Sequence, residues 1–332
     1  MDGIALLPAG DRNDLFEETA RKRDTTSAVI EKDFWVCLVL QKLFTSELLA
    51  GQLLFKGGTS LSKVFGLLER FSEDIDIVLD WKAIIDEDPN EKRSRKKQTR
   101  FIERLREESI KYIAEAILPE LRTRVGHVCE LELDEHHENV IRITYPSSFD
   151  SDYLRSEVQL EIGPVSLLVP SDTFTIQPYA ADEFPELFSN PSCNVQVICA
   201  ESTFWEKTTI LHQEAFRPED KPQPPGYSRH YYDMMRMADS EIKTRALADL
   251  GLLRTVVDFK NKFYPRAWAR YDLAEQGTIR LLPSPHVETA LRRDYREMQE
   301  MIYGERPSFD EILKALKILE EEINSLEGES ND

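Results

Sequence analysis

The feature that most constrains this chain is a short apolar segment that leads directly into two glycines. Leu53-Leu54-Phe55 is typical of a buried strand, and Gly57-Gly58 follows after one residue. The pattern next predicts a helix that ends near Arg70 and then a second strand, 75–79. The glycine turn and the second strand are therefore separated by a single helix.

Two aspartates stand at the start of the second strand. Asp74 and Asp76 occupy positions i and i+2, so both side chains project to one face while Ile75 points to the core. Paired carboxylates of this kind can share magnesium ions. Glu161, in the alternating segment 157–162, is a candidate third carboxylate on a neighbouring strand. Each motif also has a plain interpretation, as a solvated strand edge or a partly exposed strand residue.

The diglycine turn offers main-chain N–H groups to a phosphate, because no Cβ keeps the ligand away. The start of the following helix adds positive potential, and the hydroxyls of Thr59 and Ser60 can donate hydrogen bonds. A tight strand-to-helix connection would produce the same four residues. The turn and the Asp-Ile-Asp strand, one helix apart, indicate a phosphate and metal site more specifically together than either does alone.

The two halves of the chain differ in pattern. The first half mixes helices predicted at 26–44 and 99–118 with strands at 128–133, 140–145 and 157–162. After a strand at 195–200 the predicted elements are helices, at 204–215, 229–238, 243–263, 287–302 and 308–326. This order predicts an α+β domain over 1–195 and a helical domain over 196–332, with a substrate cleft between two lobes.

The charge balance limits how nucleic acid could bind. The 332 residues carry a formal net charge of -19, which repels phosphate backbones, so any polynucleotide must meet a local basic patch. One run of cations interrupts the acidic chain, and its members are Lys92, Arg93, Arg95, Lys96, Lys97 and Arg100. A solvated helix face or loop would have the same composition.

Cysteine use and hydropathy indicate the compartment. Cys37, Cys129, Cys193 and Cys199 are scattered without the close pairs of zinc sites, which predicts buried reduced thiols. No segment is apolar enough to span a membrane, and the amino terminus does not have the pattern of a secretory signal. We therefore expect a cytoplasmic protein without membrane contact.

Several segments resemble the AbiEii/AbiGii-type nucleotidyltransferase toxins, which have the polymerase-beta-like nucleotidyltransferase fold. The two most specific are Phe-Lys-Gly-Gly-Thr-Ser-Leu-Ser-Lys at 55–63 and Arg-Phe-Ser-Glu-Asp-Ile-Asp-Ile at 70–77. Glu-Lys-Asp-Phe-Trp at 31–35, Glu201, Lys207 and Arg-His-Tyr-Tyr-Asp at 229–233 match other family motifs. The resemblance covers about residues 25–240. It implies a small mixed sheet with flanking helices, completed by the helical domain.

The resemblance also implies roles for individual residues. Gly57, Gly58, Thr59 and Ser60 would hold the triphosphate of an NTP, with Lys63 and Ser72 in the same nucleotide site. Asp74 and Asp76 would bind Mg²⁺ or Mn²⁺. Lys207 would contact phosphate, and Asp233 would orient or deprotonate an acceptor hydroxyl or organise Lys207. Some relatives carry a phosphate or nucleotide at the position of Ser72. The Pro-rich segment 218–226 lengthens the loop before Asp233 and departs from the family pattern.

The implied activity is transfer of a nucleoside monophosphate from an NTP to an acceptor hydroxyl. The resemblance implies an RNA acceptor, the 3′ end of transfer RNA, and a role as the toxin of a bacterial toxin–antitoxin or phage-defence pair with a cognate antitoxin. A protein or small-molecule acceptor, and a non-catalytic nucleotide-binding module, are the alternatives. Without the family resemblance, the sequence would predict that Lys207 is a solvated lysine and that Asp233 pairs with Arg229 on the same helix.

Overall fold

The computed structural model of the protein describes residues 1–72, 74–149, 156–164 and 170–326. The chain forms two compact units. The first comprises the described residues within 1–64, 71–166 and 171–198, and the second those within 65–70, 167–170 and 199–332. The second unit is thus discontinuous in sequence, because the short segment Phe65–Arg70 belongs to it.

The first unit contains both helices and strands. Its helices are α1 (Asp2–Ala5), α2 (Ala9–Arg23), α3 (Ser27–Phe44), α4 (Gly57–Lys63), α5 (Arg95–Tyr112), α6 (Leu118–Val125) and α7 (Tyr179–Glu183), with a π-helical turn at Ile113–Ile117. Its strands are β1 (Leu53–Lys56), β2 (Asp74–Leu79), β3 (Glu130–Leu133), β4 (Val140–Thr144), β5 (Glu157–Gly163), β6 (Ser171–Ile176) and β7 (Cys193–Ile198). Single 3₁₀ turns lie at Trp81–Ala83 and Pro185–Leu187.

The strands of the first unit form one mixed sheet of seven strands, in the order β3-β4-β5-β2-β1-β7-β6. At its centre β2 pairs antiparallel with β1 and parallel with β5. Along β2, Ile75 and Ile77 are buried while Asp74 and Asp76 are half-buried, as the alternating pattern predicts. The predicted α+β class with a mixed sheet is confirmed.

Helix α3 runs through the interior of the first unit. The Thr26 side chain caps it by accepting a hydrogen bond from the Val29 N–H at 3.4 Å. Nearly every later residue of α3 is buried, including the charged Lys32 and Asp33, as in a helix enclosed on all sides. The Trp35 ring stacks on Tyr145 with 5.4 Å between centroids. This helix forms much of the packing behind the sheet.

The second unit is helical in its described part. Its helices are α8 (Ala200–Ala215), α9 (Ser228–Ala238), α10 (Glu241–Leu247), α11 (Leu250–Phe263), α12 (Pro285–Met298) and α13 (Phe309–Ser325), with 3₁₀ turns at Ala267–Ala269, Tyr271–Leu273 and Gln299–Met301. The capping box predicted at Ser308 and Glu311 is confirmed. Rings of Tyr231 and Tyr295 pack against Phe309 in the core.

Three sequence predictions differ from the structure. The helix expected to reach Arg70 ends at Lys63, and Gly66 adopts a left-handed φ of 62° that a helix cannot contain. The single helix expected over 243–263 is two, because the Asp249 side chain accepts from the Leu252 N–H at 2.9 Å and starts a new helix. Strand β6 was not expected.

Cysteines and hydropathy agree with the sequence analysis where the structure describes them. None of the four cysteines, all of them described, forms a disulfide; Cys37, Cys129 and Cys193 are buried, and Cys199 is half-buried. Burial raises the pKa of the Cys129 thiol to about 12, so that thiol is inert as a nucleophile at neutral pH. Among the described helices, none is both long and apolar enough to cross a membrane.

Candidate active site

The turn between β1 and α4 brings the glycine motif against the aspartate motif. Lys56 ends β1 in extended backbone, and α4 begins at the next residue, Gly57, whose φ is 80°. A Cβ built on Gly57 would lie 2.6 Å from Cγ of Asp76 and would overlap its carboxyl group. Only glycine fits this position, for its positive φ and for the close approach of Asp76. The Asp76 carboxyl group therefore lies directly on the diglycine turn.

Hydroxyl groups of α4 hold the turn in place. The Thr59 hydroxyl donates to the main-chain carbonyl of Asp74, and the Ser60 hydroxyl donates to the carbonyl of Gly57 at 2.9 Å. Both side chains are buried, and each hydroxyl has a single hydrogen to donate. In this structure the hydroxyls therefore fasten α4 to β2 and to its own first residue. The main-chain N–H groups of the turn, including that of Gly58, are the donors left for a phosphate.

Three carboxylates project from one face of the sheet. Asp74 and Asp76 are half-buried on β2, and Glu161 on β5 is the direct register partner of Asp76 and is exposed. No cluster of three or more His, Cys, Asp or Glu side chains that could hold a metal occurs among residues 1–72, 74–149, 156–164 and 170–326. The Asp74 and Asp76 pair, with hard oxygen donors beside a glycine cradle, nevertheless fits a divalent cation such as Mg²⁺. Glu161 shares their face but is not gathered with them.

Gly57→Ala should destabilise the protein and impair its activity more than the same change at Gly51. Both glycines have a positive φ, 80° and 71°, so both variants strain the backbone. Only at Gly57 does the new methyl group meet another side chain, that of Asp76. We expect Gly57→Ala to lower the free energy of unfolding by about 2 kcal/mol more than Gly51→Ala. Urea denaturation of both variants measures this, and equal losses would contradict the packing described.

Lys63, at the end of α4, forms a buried ion pair. Its Nζ lies 2.6 Å from Oδ1 of Asp33, and both side chains are 6% exposed. The Nζ also lies 3.8 Å from the centre of the Tyr179 ring, and the Tyr179 N–H donates to Oδ2 of Asp33 at 2.7 Å. Burial would lower the pKa of Lys63, but the Asp33 charge outweighs it and raises that pKa. The pair fastens α4 to α3, and a contact of Lys63 with nucleotide stays a prediction.

Lys63→Met should destabilise the first unit by about 2 kcal/mol, because it leaves the Asp33 carboxyl group buried without its cation. The pKa of Asp33 is already raised by burial, so the group can take up a proton, which limits the loss. Adding Asp33→Asn to this variant should recover part of the stability. Chemical denaturation of the single and double variants measures both effects. If the double variant is the less stable, the pairing is not what holds these helices.

In the second unit, Asp233 accepts hydrogen bonds from two cations. The Arg70 guanidinium donates from Nε to Oδ1 at 2.6 Å and from a terminal nitrogen to Oδ2 at 2.7 Å. Lys207 Nζ, from α8, donates to the same Oδ2 at 2.7 Å. All three side chains are buried, Asp233 completely. We call these three residues the buried triad.

The charges of the buried triad fix their protonation states. Burial alone would raise the pKa of Asp233, but Arg70 and Lys207 outweigh it and hold that pKa well below its usual value. The pKa of Lys207 is lowered, by burial first and by the Arg70 charge, against the attraction of Asp233. Asp233 is thus firmly ionised, and its carboxylate is the shared acceptor for Arg70 and Lys207.

Sequence reasoning gave Arg70 no role, while for Asp233 it offered a contact with Lys207 as one of several alternatives, and the structure shows that contact. Arg70 belongs to the 70–77 motif, but no function was predicted for it. The other partner predicted for Asp233 was Arg229, which is exposed on the same helix, α9. Ser72 is half-buried just before β2, and its neighbour Glu73 lies outside the described residues. The family motifs had named Lys207 and Asp233, and Arg70, four residues before β2, was the member of the triad without a signal of its own.

A mixed sheet in which a glycine turn cradles the second aspartate of an Asp-x-Asp strand is typical of nucleotidyltransferases. The model of a protein family, the nucleotidyl transferase AbiEii toxins of type IV toxin–antitoxin systems, matches residues 38–315. The chain belongs to this family, as its motifs indicated. Membership implies an NTP substrate, typically a divalent metal, and an antitoxin partner.

One solved structure gives a further comparison. MenT4, a nucleotidyltransferase toxin from Mycobacterium tuberculosis H37Rv, is similar over 92% of this chain and 98% of its own, with 18% sequence identity and a TM-score of 0.43. No curated protein matches the chain in sequence.

Proposed function

We propose that this toxin transfers a nucleoside monophosphate from an NTP to a hydroxyl of an RNA, the 3′ end of transfer RNA. Its cellular role is that of the toxin in a bacterial toxin–antitoxin or phage-defence pair, restrained by a cognate antitoxin. The observation that carries the proposal is the contact between the Asp76 carboxyl group and the Gly57 turn. A carboxylate suited to a cation and N–H groups suited to a phosphate are then neighbours, which supports the proposal.

The chain's own groups bind and orient the triphosphate. Main-chain N–H groups at Gly57 and Gly58, in the first turn of α4, would donate to the phosphates, because no described side chain caps this end of the helix. Asp74 and Asp76 would hold Mg²⁺ or Mn²⁺, and Glu161, on the same face of the sheet but not gathered with them, is left outside the pair. The metal would neutralise the charge of the phosphates and of the departing pyrophosphate.

We assign phosphate contact to Lys207 of the buried triad, and we do not assign proton abstraction to Asp233. A general base works best when its pKa lies near the operating pH, and the pKa of Asp233 is held far below that. Its two cations also occupy both carboxylate oxygens. Asp233 therefore orients Lys207, whose ammonium group supplies positive charge to the phosphates.

Labelled NTPs, supplied one at a time with Mg²⁺ and purified transfer RNA, test the proposal. Label should appear on the RNA 3′ end with wild-type protein, and chelation of the metal should stop it. Label on protein or on a small molecule would assign a different acceptor. Nucleotide binding without any transfer would favour a non-catalytic binding module. Induced expression should arrest growth if the protein acts as a toxin, and co-expression of the antitoxin should relieve the arrest.

A further inference from the structure

A basic pocket of about 320 Å³ lies in the first unit, where the loop before α5 meets the first turns of that helix. Five of its lining side chains are cations, namely Lys92, Arg93, Lys97, Arg100 and Arg104. Two carboxylates, Glu87 and Glu91, also line it. Positive charge therefore dominates this pocket, although the protein as a whole carries a formal net charge of -19.

Arg93 gives the pocket a fixed wall. Its side chain is only 7% exposed, and its guanidinium lies 4.0 Å from the centre of the buried Phe101 ring. It donates to the main-chain carbonyl of Asp88 at 2.9 Å and to that of Glu91 at 3.2 Å. These contacts hold the loop against α5. The cations next to Arg93 therefore stand on a part of the surface that is fixed by packing and hydrogen bonds.

Of the other four cations, one forms an ion pair and three are exposed to solvent. Arg104 forms a 2.6 Å ion pair with Glu87. Lys92, Lys97 and Arg100 are exposed, and none of them forms an ion pair with a described residue. Like charges this close repel one another, and cations in the first turns of a helix also oppose its dipole. An arrangement that costs stability in the free protein is relieved by a bound polyanion.

We infer that this pocket binds the sugar-phosphate backbone of the RNA acceptor, an inference that rests on the proposed function. The acidic remainder of the chain repels a polynucleotide, so the strand must meet the protein at a local basic surface. Lys97 and Arg100 are three residues apart on α5, a rise of about 4.5 Å, so both cations lie on the same side of the helix. Phe101 is covered by Arg93 and offers no face for base stacking. The pocket therefore contacts phosphates and positions the RNA without reading its sequence.

Two triple variants with equal charge changes test this inference. The pocket variant is Lys92→Gln/Lys97→Gln/Arg100→Gln, and the control variant is Arg95→Gln/Lys96→Gln/Arg106→Gln, which removes three exposed cations of α5 that do not line the pocket. Binding of fluorophore-labelled transfer RNA is measured by anisotropy between about 50 and 200 mM salt. We expect the pocket variant to bind at least about tenfold more weakly and the slope of log K against log salt to fall by about 2, because three phosphate contacts are lost. The control variant should stay close to wild type.

Further readouts separate the possible failures. The KM for NTP should be unchanged in the pocket variant, while kcat/KM for transfer RNA falls with binding. If wild type binds RNA but transfers nothing, and the pocket variant still loses binding, the surface is supported and the proposed activity fails. Equal RNA binding by both variants, or no RNA binding by wild type, overturns the inference. Loss of binding to the antitoxin alone also overturns it and identifies an acidic protein as the occupant.

Discussion

Asp76→Asn is expected to slow nucleotidyl transfer by at least about two decades, which corresponds to about 3 kcal/mol of activation free energy. Asparagine keeps the shape that fits against Gly57 but removes the negative charge that a divalent cation requires. Without that charge the cation binds weakly, and the triphosphate is neither neutralised nor positioned. Steady-state rates over a range of Mg²⁺ and NTP concentrations measure the loss. Excess metal should restore only part of it.

The matched control is Asp172→Asn on strand β6. Asp172 is an exposed carboxylate of the same sheet, and its contact with the Thr173 N–H can be kept by an amide oxygen. This variant should transfer nucleotide at the wild-type rate. Thermal unfolding of both variants should resemble wild type, so that a lost rate reports on chemistry. Full activity of Asp76→Asn at ordinary Mg²⁺ concentrations would mean that the metal site lies elsewhere.

The central strands and the glycine turn were predictable because their signals are local. In β2 the alternation of Asp74, Ile75, Asp76 and Ile77 follows the period of a strand with one polar face. The Gly57 turn needs a conformation that few other residues adopt, so its sequence is distinctive. The start of the last helix was predictable from its capping box, which is complete within four residues.

Edge strands and helix breaks were less predictable. Strand β6 has the sequence Ser-Asp-Thr-Phe-Thr-Ile, and among the described strands its one partner is β7, at the end of the sheet. An exposed edge strand buries few side chains, so its sequence shows little apolar alternation. The break at Asp249 interrupts a stretch with helical periodicity on both sides, and periodicity alone does not detect a cap.

The pairing of Arg70 with Asp233 could not be predicted from local pattern. Arg70 and Asp233 are separated by 163 residues, and no periodicity connects positions so far apart. Local reasoning offered Arg229 as the partner because it lies one turn away on the same helix. The bidentate geometry of Arg70 satisfies both carboxylate oxygens within the core, which a single exposed partner would not do. Burial decided the pairing.

The buried triad should separate stability from activity. Lys207→Met is expected to slow transfer by at least about two decades while the protein stays folded, because Asp233 keeps both hydrogen bonds from Arg70. Asp233→Asn should instead lower the free energy of unfolding by about 3 to 5 kcal/mol, because it leaves two buried cations without a counter-charge. Urea denaturation and transfer assays on both variants give the comparison. Equal destabilisation would mean that Lys207 neutralises Asp233 as much as Arg70 does.

The pH dependence of stability tests the charge of Asp233 independently. A carboxyl group whose pKa is lower in the folded protein stabilises the fold at pH values above its unfolded pKa of about 4. This stabilisation is lost as the pH falls towards the pKa of the folded state. The stability gap between wild type and Asp233→Asn should therefore be full at pH 7 and narrow below about pH 4. A transfer rate that titrates with Asp233 near neutral pH would show instead that this residue is a base, since the triad described here keeps it ionised throughout that range.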